Sequence, residues 1–334
     1  MNYIGSKLSL LPFIDHVVKE VYRYNLKSAV FCDLFAGTSI VGRFFKPKAQ
    51  KIISNDLEYY SYVLNRNYIG NHRPIEGVEK FFQALEEAPL KSDGFIYHNY
   101  SEGGDGGRQY FSELNGKKID TVRTKIGIWR ASGEISDDLY YHLLASLLES
   151  ADKVANTASV YGAYLKKIKK SAQAPLQIQP APYYLNETSH EVYQEDSNDL
   201  IKKIKGDILY LDPPYNNRQY GANYHLLNTI ASYTPFEPKG KTGLPDYNRS
   251  LYCKKTTVGE QLDDLIKHAD FPYIFLSYNN EGLMSLGEVE KVFRQYGRYS
   301  LYQSDYRRFR ADKENSRNHK ATTTTEYLHV LIKD

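Results

Sequence analysis

Cysteine is nearly missing: Cys32 and Cys253 are the two in 334 residues. Neither has a CxxC neighbour or a nearby His-x-x-x-His, so the sequence offers no zinc site and no disulfide framework. A charge excess of either sign is missing too. With a net charge of +3 and a pI near 8.5, any grip on a polyanion must come from local patches. No apolar run approaches the ~20 residues of a membrane span, and no signal peptide precedes residue 10. The expectation is a cytoplasmic protein with no membrane partner. The turn within residues 29–42 lacks the GxGxxG fingerprint and the GK[ST] of a P-loop. Tyrosine, by contrast, is abundant at 31 residues, which suits wet surfaces and stacking as well as core.

The most specific feature is DILYLDPPY at 207–215. Residues 207–211 alternate too little for a half-exposed strand and predict a parallel strand buried on both faces. Pro213 and Pro214 cannot continue a sheet, so the strand stops and leaves polar groups at its carboxyl edge, where open α/β sheets bind ligands. An aromatic amine is a poor nucleophile because its lone pair is delocalised into the ring. The Asp212 carboxylate and the Pro213 carbonyl could each accept one of its N–H bonds and hold the nitrogen closer to tetrahedral. Tyr215 offers a face for a stacked base, worth ~1–3 kcal/mol. The competing reading is a proline turn with Asp212 as a cap and Tyr215 as a core aromatic.

Two further strand ends carry acids. AVFCDLFAGTSIVG (29–42) predicts a strand ending at Asp33 and a small-residue turn through Gly37 and Thr38 into a helix. Gly37 permits close approach and positive φ, and Asp33 suits an ammonium better than a pyrophosphate. A strand at 51–54 ends in Asn55-Asp56, the usual position of an acid that accepts a ribose diol; the alternative is an N-cap for the helix that follows. At the amino terminus, NYIGSK puts Tyr3 and Lys7 around a glycine. There Lys7 could neutralise a cofactor carboxylate with Tyr3 packed beside it.

NYIGSK, DLFAGT, NDLEYY and DPPY, in that order, resemble the AdoMet-dependent DNA adenine-N6 methyltransferases, within them the Dam-like group, over nearly the whole chain. The resemblance implies S-adenosyl-L-methionine as methyl donor, no metal, and double-stranded DNA as substrate. It implies an AdoMet site lined by Tyr3, Lys7, Asp33, Phe35, Gly37, Thr38 and Asp56, with Asp196 on the cofactor adenine. Asp212 would touch both cofactor and target amine, and Asp212, Pro213, Pro214 and Tyr215 would form the catalytic turn. The target base would have to leave the duplex stack. A restriction–modification role, with a cognate restriction endonuclease acting separately, is a further expectation.

Strand and helix signals alternate to Tyr68, cease from about Gly70 to Pro175, and then resume. This predicts an α/β fold: a Rossmann-like catalytic domain at 1–69 and 176–334, with an inserted, mostly helical target-recognition lobe at 70–175. The last run, TEYLHVLI, is an added edge or antiparallel strand. In the lobe, SEGGDGGRQYF ends in Arg108, Gln109 and Tyr110. KKIDTVRTKIGIWR (117–130) spaces Lys118, Arg123, Lys125 and Arg130 beside Ile119, Val122 and Ile126. Arg108, Arg123, Lys125 and Arg130 are therefore candidate DNA contacts, against the alternative of a solvated helix surface. Arg218 and Tyr220, just past the catalytic turn, are candidates to border an extruded base. The loop from Pro238 to Lys255 reads as functional or mobile, and the basic stretch 306–320 as a solvated loop or a clamp.

Overall fold

The structure is a computed structural model that describes residues 7–307 and 323–334. Tyr3 and most of the basic stretch 306–320 lie outside the described residues. The chain forms two compact units. One contains the described residues 7–65 with Asn186–Gln219 and Arg249–Asp334; the other contains Arg66–Leu185 and Tyr220–Asn248.

The first unit is built on a seven-stranded sheet. It opens with α1 (Leu11–Val21), whose Leu11, Ile14, Val17 and Val18 recur on one face and are buried. Next come β1 (Val30–Asp33), α2 (Ile40–Phe45), β2 (Lys51–Asn55) and α3 (Tyr59–Asn65). Helices of the second unit intervene. After them β3 (Glu191–Tyr193), α9 (Ser197–Leu200) and β4 (Ile208–Leu211) follow. The chain then leaves through α10 (Tyr220–Asn223) and α11 (His225–Ser232). It returns as α12 (Val258–His268), β5 (Tyr273–Asn279), α13 (Leu286–Phe293), β6 (Gly297–Arg307) and β7 (Thr323–Lys333). The strand order is β3-β2-β1-β4-β5-β7-β6. The first five strands are parallel neighbours and β7 is antiparallel to both β5 and β6.

All four residues of β4 are buried, as a central parallel strand requires. Alternation sends Phe31 to one face, stacked on Phe45 at 4.3 Å. It sends Cys32, Leu209, Leu211, Ile274 and Leu276 into a cluster with Val258, Leu262, Leu265 and Ile266 of α12. Each such fully buried aliphatic side chain contributes about 1.5–3 kcal/mol. The final run is the expected antiparallel strand, but β6 lies outside it and takes the edge. GRYSLYQSDYR alternates polar and aromatic residues without an apolar run, which is why it did not read as a strand.

The second unit is helical: α4 (Val78–Glu86), α5 (Phe95–Tyr100), α6 (Glu113–Ala131), α7 (Asp137–Lys153) and α8 (Lys170–Gln173), with α10 and α11. Ser112 and Ser136 cap α6 and α7 by accepting the N–H of Asn115 and Leu139, each cap worth ~1 kcal/mol. Ile119, Val122 and Ile126 are fully buried, so the apolar face predicted for 117–130 is present. The segment Tyr220–Asn248, which the sequence grouped with the sheet, packs with these helices instead.

Candidate active site at the carboxyl edge of the sheet

The sheet's strand order reverses between β1 and β4: β1 leads outward to β2 and β3, β4 to β5. Crevices beyond such a reversal are the ligand sites of open α/β sheets. In register, Asp33 lies beside Ser54 of β2 and Tyr210 of β4. The acids that end these three strands therefore meet at one rim.

Asp33 is buried, and its Oδ2 accepts the Gly42 N–H at 2.9 Å. Burial, with the Asp212 and Asp56 carboxylates nearby, pushes its carboxyl up to about 7 against the pull of that hydrogen bond. Gly37 adopts φ 50° and donates its N–H to Asp56 Oδ2 at 2.8 Å. The other oxygen of Asp56 accepts the Glu58 N–H at 2.9 Å. Asp56 thus caps the approach to α3 and fixes the turn at the same time; burial lifts it to about 6. Thr38 is buried, and Ser39 beside it sits at φ 66°, its hydroxyl donating to Asn65 Oδ1 at 2.6 Å. Phe35 is half-buried and meets Tyr252 edge-to-face at 5.1 Å. Asp196 is exposed and caps α9 through the Asn198 N–H at 2.9 Å.

Asp212 follows β4 directly. Lys7 Nζ lies 3.0 Å from its Oδ1 and 2.8 Å from Glu326 Oε1 of β7. Burial raises Asp212 to about 6, Lys7 opposing and Glu326 reinforcing that rise. For Lys7, burial disfavours the charge, but Asp212 and Glu326 outweigh it and the ammonium's pKa rises well above the ordinary lysine range. Pro213 is buried and Pro214 half-buried. Tyr215 is half-buried, its ring centroid 6.0 Å from Lys7 Nζ, and its carbonyl accepts the Leu283 N–H at 2.9 Å. The expectation that Lys7 neutralises a cofactor carboxylate meets a lysine already paired twice within the protein.

Three contributors to this rim escaped the sequence. Asn55 is fully buried and ties three strand ends together: Nδ2 donates to the carbonyls of Leu34 (3.2 Å) and Glu195 (3.1 Å), and Oδ1 accepts the Glu195 N–H (3.0 Å). Glu326 and Ser277 are the others, joined at 2.8 Å. The available signal for Glu326 was a lone acid entering the apolar run YLHVLI at a position whose period-2 mates, Leu328 and Val330, are core.

The candidate DNA contacts separate into two groups. Arg123 is buried and donates to the carbonyls of Ile230, Ala231 and Ser232 at the end of α11. Arg108 donates to Asn99, Gly240 and Lys241 carbonyls at 3.0–3.2 Å. The buried Arg123 guanidinium is spent on backbone acceptors of its own unit, against the expectation that it faces phosphates, whereas Arg108 makes contacts of the same kind but is half-exposed. Lys118 does the same for Leu85 and Glu86 at the end of α4. Arg108, with Tyr100 on Gly243 and His225 on Thr242, also ties down the part of the long loop between Gly240 and Gly243. Lys125 lies half-exposed over Trp129, Arg130 pairs with Asp137 over Tyr140, and Arg218 is exposed. Tyr220 opens α10 with its ring stacked on Tyr224.

Among the described residues no group of His, Cys, Asp and Glu is arranged to hold a metal ion, and no helix is long and apolar enough to cross a membrane. No solved structure matches the chain. Among curated proteins, the Type II methyltransferase M.NlaIII of Neisseria lactamica is 59% identical over 333 residues, covering 100% of this chain and 99% of that protein. The Type II methyltransferase M.CviAII of Paramecium bursaria Chlorella virus 1 is 39% identical over 93% of each chain. The Type II methyltransferase M.FokI of Planomicrobium okeanokoites is 38% identical over 100% of this chain and 53% of its own length. The family model for D12 class N6 adenine-specific DNA methyltransferases matches residues 3–292, both acidic strand ends and the DPPY turn included. With an acid-lined rim at the sheet reversal and full-length relatives of one activity, the chain belongs to the D12 class of N6 adenine-specific DNA methyltransferases.

Proposed function

We propose that the chain takes its methyl group from AdoMet and delivers it to an adenine extruded from a short duplex DNA sequence, with Asp212 as the group that engages the target amine. The observation that carries this reading is the position of Asp212: at the end of β4, across the sheet reversal from Asp33 and within electrostatic reach of it. The donor's chemistry fits the residues present. Asp33 suits its ammonium and Asp56 its ribose hydroxyls, while Gly37 presents a turn without a side chain and Phe35 a flat wall. AdoMet supplies an electrophilic methyl on a cationic sulfur, which leaves with the C–S electron pair as a neutral thioether while the amine nitrogen gains the new bond.

The protein's own part is geometric. The Asp212 carboxylate and the Pro213 carbonyl accept the two amine N–H bonds, concentrate the lone pair on nitrogen and aim it. Tyr215 stacks on the base. The proton released from the methylated nitrogen needs no dedicated strong base, because that nitrogen is cationic once the bond has formed. We assign Asp196 to the helix cap it makes here rather than to the cofactor. Arg108, Lys125, Arg130, Arg218 and Tyr220 remain the candidates for DNA contact, and the helical unit the candidate reader of sequence. By likeness to M.NlaIII and M.CviAII, both Type II methyltransferases, the chain protects DNA in the cytoplasm against a separately acting restriction endonuclease.

The test is transfer of labelled methyl from AdoMet to duplex DNA by Asp212→Asn. Loss of turnover on the order of 100-fold or more, with AdoMet affinity retained by calorimetry, is expected. Undiminished turnover overturns the assignment, and label appearing in RNA in preference to duplex DNA overturns the substrate.

A further inference from the structure

The reading of Asp212 leaves an unexplained group beside it. Glu326 is a carboxylate that is 5% exposed, carried by β7, two strands away from β4. Its Oε1 accepts from Lys7 Nζ at 2.8 Å and from Ser277 Oγ at 2.8 Å. Ser277 belongs to β5 and faces Leu328 in register, so it reaches Glu326 along the diagonal of the β5–β7 pair. The carboxylate is therefore fixed from two sides. Lys7, fixed in turn by Glu326, has its Nζ 3.0 Å from Oδ1 of Asp212. A buried acid is costly to keep, and a lysine facing Asp212 alone would have satisfied that carboxylate without it.

We propose that Glu326 is a positioning residue for methyl transfer: it shares the Lys7 ammonium so that Lys7 orients Asp212 through one oxygen without capturing the whole carboxylate. The inference rests on the assignment of Asp212 to the target amine. Asp212 must accept an N–H from the adenine amine and so needs an oxygen free of stronger competition. An ammonium with one carboxylate partner tends to close onto both of its oxygens, and charge-assisted bonds of that kind are roughly twice as strong as neutral ones. A second carboxylate on the same nitrogen draws it back. Glu326 acts through Lys7 and does not itself reach the substrate.

The charged and titratable groups that act on Asp212 are Lys7 from the amino-terminal segment and Glu326 from β7. Asp212 in turn acts on Asp33 of β1, on Tyr210 of β4 and on Tyr215 of its own turn. Of the two that set Asp212, Lys7 lowers its pKa and Glu326 raises it. Turnover needs the Asp212 carboxylate ionised, so the acid limb of the kcat profile follows it. Glu326→Gln shifts that limb to lower pH, and Lys7→Met shifts it to higher pH. A merely structural ion triad would give two variants with lower thermal stability and an unmoved limb.

The experiment measures kcat, the KM for AdoMet and for duplex DNA, and the acid limb for the parent, Glu326→Gln, Lys7→Met, Ser277→Ala and Asp212→Asn. For Glu326→Gln the expected result is a kcat loss on the order of 10- to 100-fold, the range that small misplacements of a reacting group produce. Its KM for AdoMet stays within about twofold, as expected of a group that does not touch the donor. Ser277→Ala, which keeps the charge and loosens its anchor, shows a smaller kcat loss and covers the case in which Glu326→Gln fails to fold. A parental kcat in Glu326→Gln, or acid limbs of the two charge variants moving together or staying still, overturns the inference. If Glu326→Gln cannot be isolated, parental kcat in Ser277→Ala overturns it. Parental turnover in Asp212→Asn overturns the assignment of Asp212 beneath it, and so separates the two failures.

Discussion

Replacing Asp33 by Asn should stabilise the free protein increasingly from about pH 4 upwards and, on the role proposed for Asp33, remove its affinity for AdoMet. Asp33 is buried and its carboxyl sits at about 7, where a carboxyl is ordinarily near 3.8. A group whose folded value is raised favours folding fully below its unfolded value and loses that contribution as pH climbs through the folded one. The window here is therefore pH 4 to 7. Moving a carboxyl from 3.8 to about 7 corresponds to about 4 kcal/mol held against ionisation, an upper bound on what the wild type forfeits at pH 8. Asn keeps an oxygen for the Gly42 N–H that Asp33 accepts at 2.9 Å and has no charge to bury. The gain expected at pH 8 is about 1–4 kcal/mol, or several degrees in Tm at ~2–4 °C per kcal/mol. Below about pH 4 the group is protonated in the folded and the unfolded chain alike, so the two proteins should melt together there and separate as the pH rises. Thermal denaturation at about pH 3 and at pH 8 measures the first half; titration calorimetry with AdoMet measures the second. An Asp33→Asn variant that melts no higher than wild type at pH 8, or binds AdoMet as before, refutes the reasoning.

Arg123→Met should destabilise the protein by about 1.5–3 kcal/mol, the scale for hydrogen bonds to a charged group, because it frees the carbonyls of Ile230, Ala231 and Ser232. The same variant should leave the slope of log K against log salt for duplex DNA unchanged; a slope lower by about 0.9 would mark a lost phosphate contact instead. Asn55→Ala should cost about 2–4 kcal/mol in thermal denaturation, at ~1 kcal/mol for each of its three backbone bonds; an unchanged Tm would mean that the strand ends hold without it.

What could be read in advance depended on how local the physics was. The buried run at 208–211, the proline stop after Asp212 and the acids closing β1 and β2 follow from periodicity and turn chemistry within a few residues. The α/β class and the acidic rim were legible for that reason, along with the apolar face of α6. Pairing across the sheet is a different matter. Lys7 and Glu326 lie 319 residues apart, and nothing in NYIGSK or TEYLHVLI says that the lysine's partner is another part of the protein. Basic residues mislead in the same way. Arg123 has the spacing of a phosphate ligand, but the carbonyls at the end of α11 are acceptors too, and burial beside them takes its donors first. The segment at 220–248 left no boundary signal, because its apolar residues, Leu226, Leu227 and Ile230, suit a helix against either a sheet or other helices. A side chain's type fixes which partners it can satisfy, and the fold decides which of them arrives. In this chain the fold turns one of the candidate DNA contacts, Arg123, inward and brings an unforeseen acid, Glu326, to the lysine that holds Asp212.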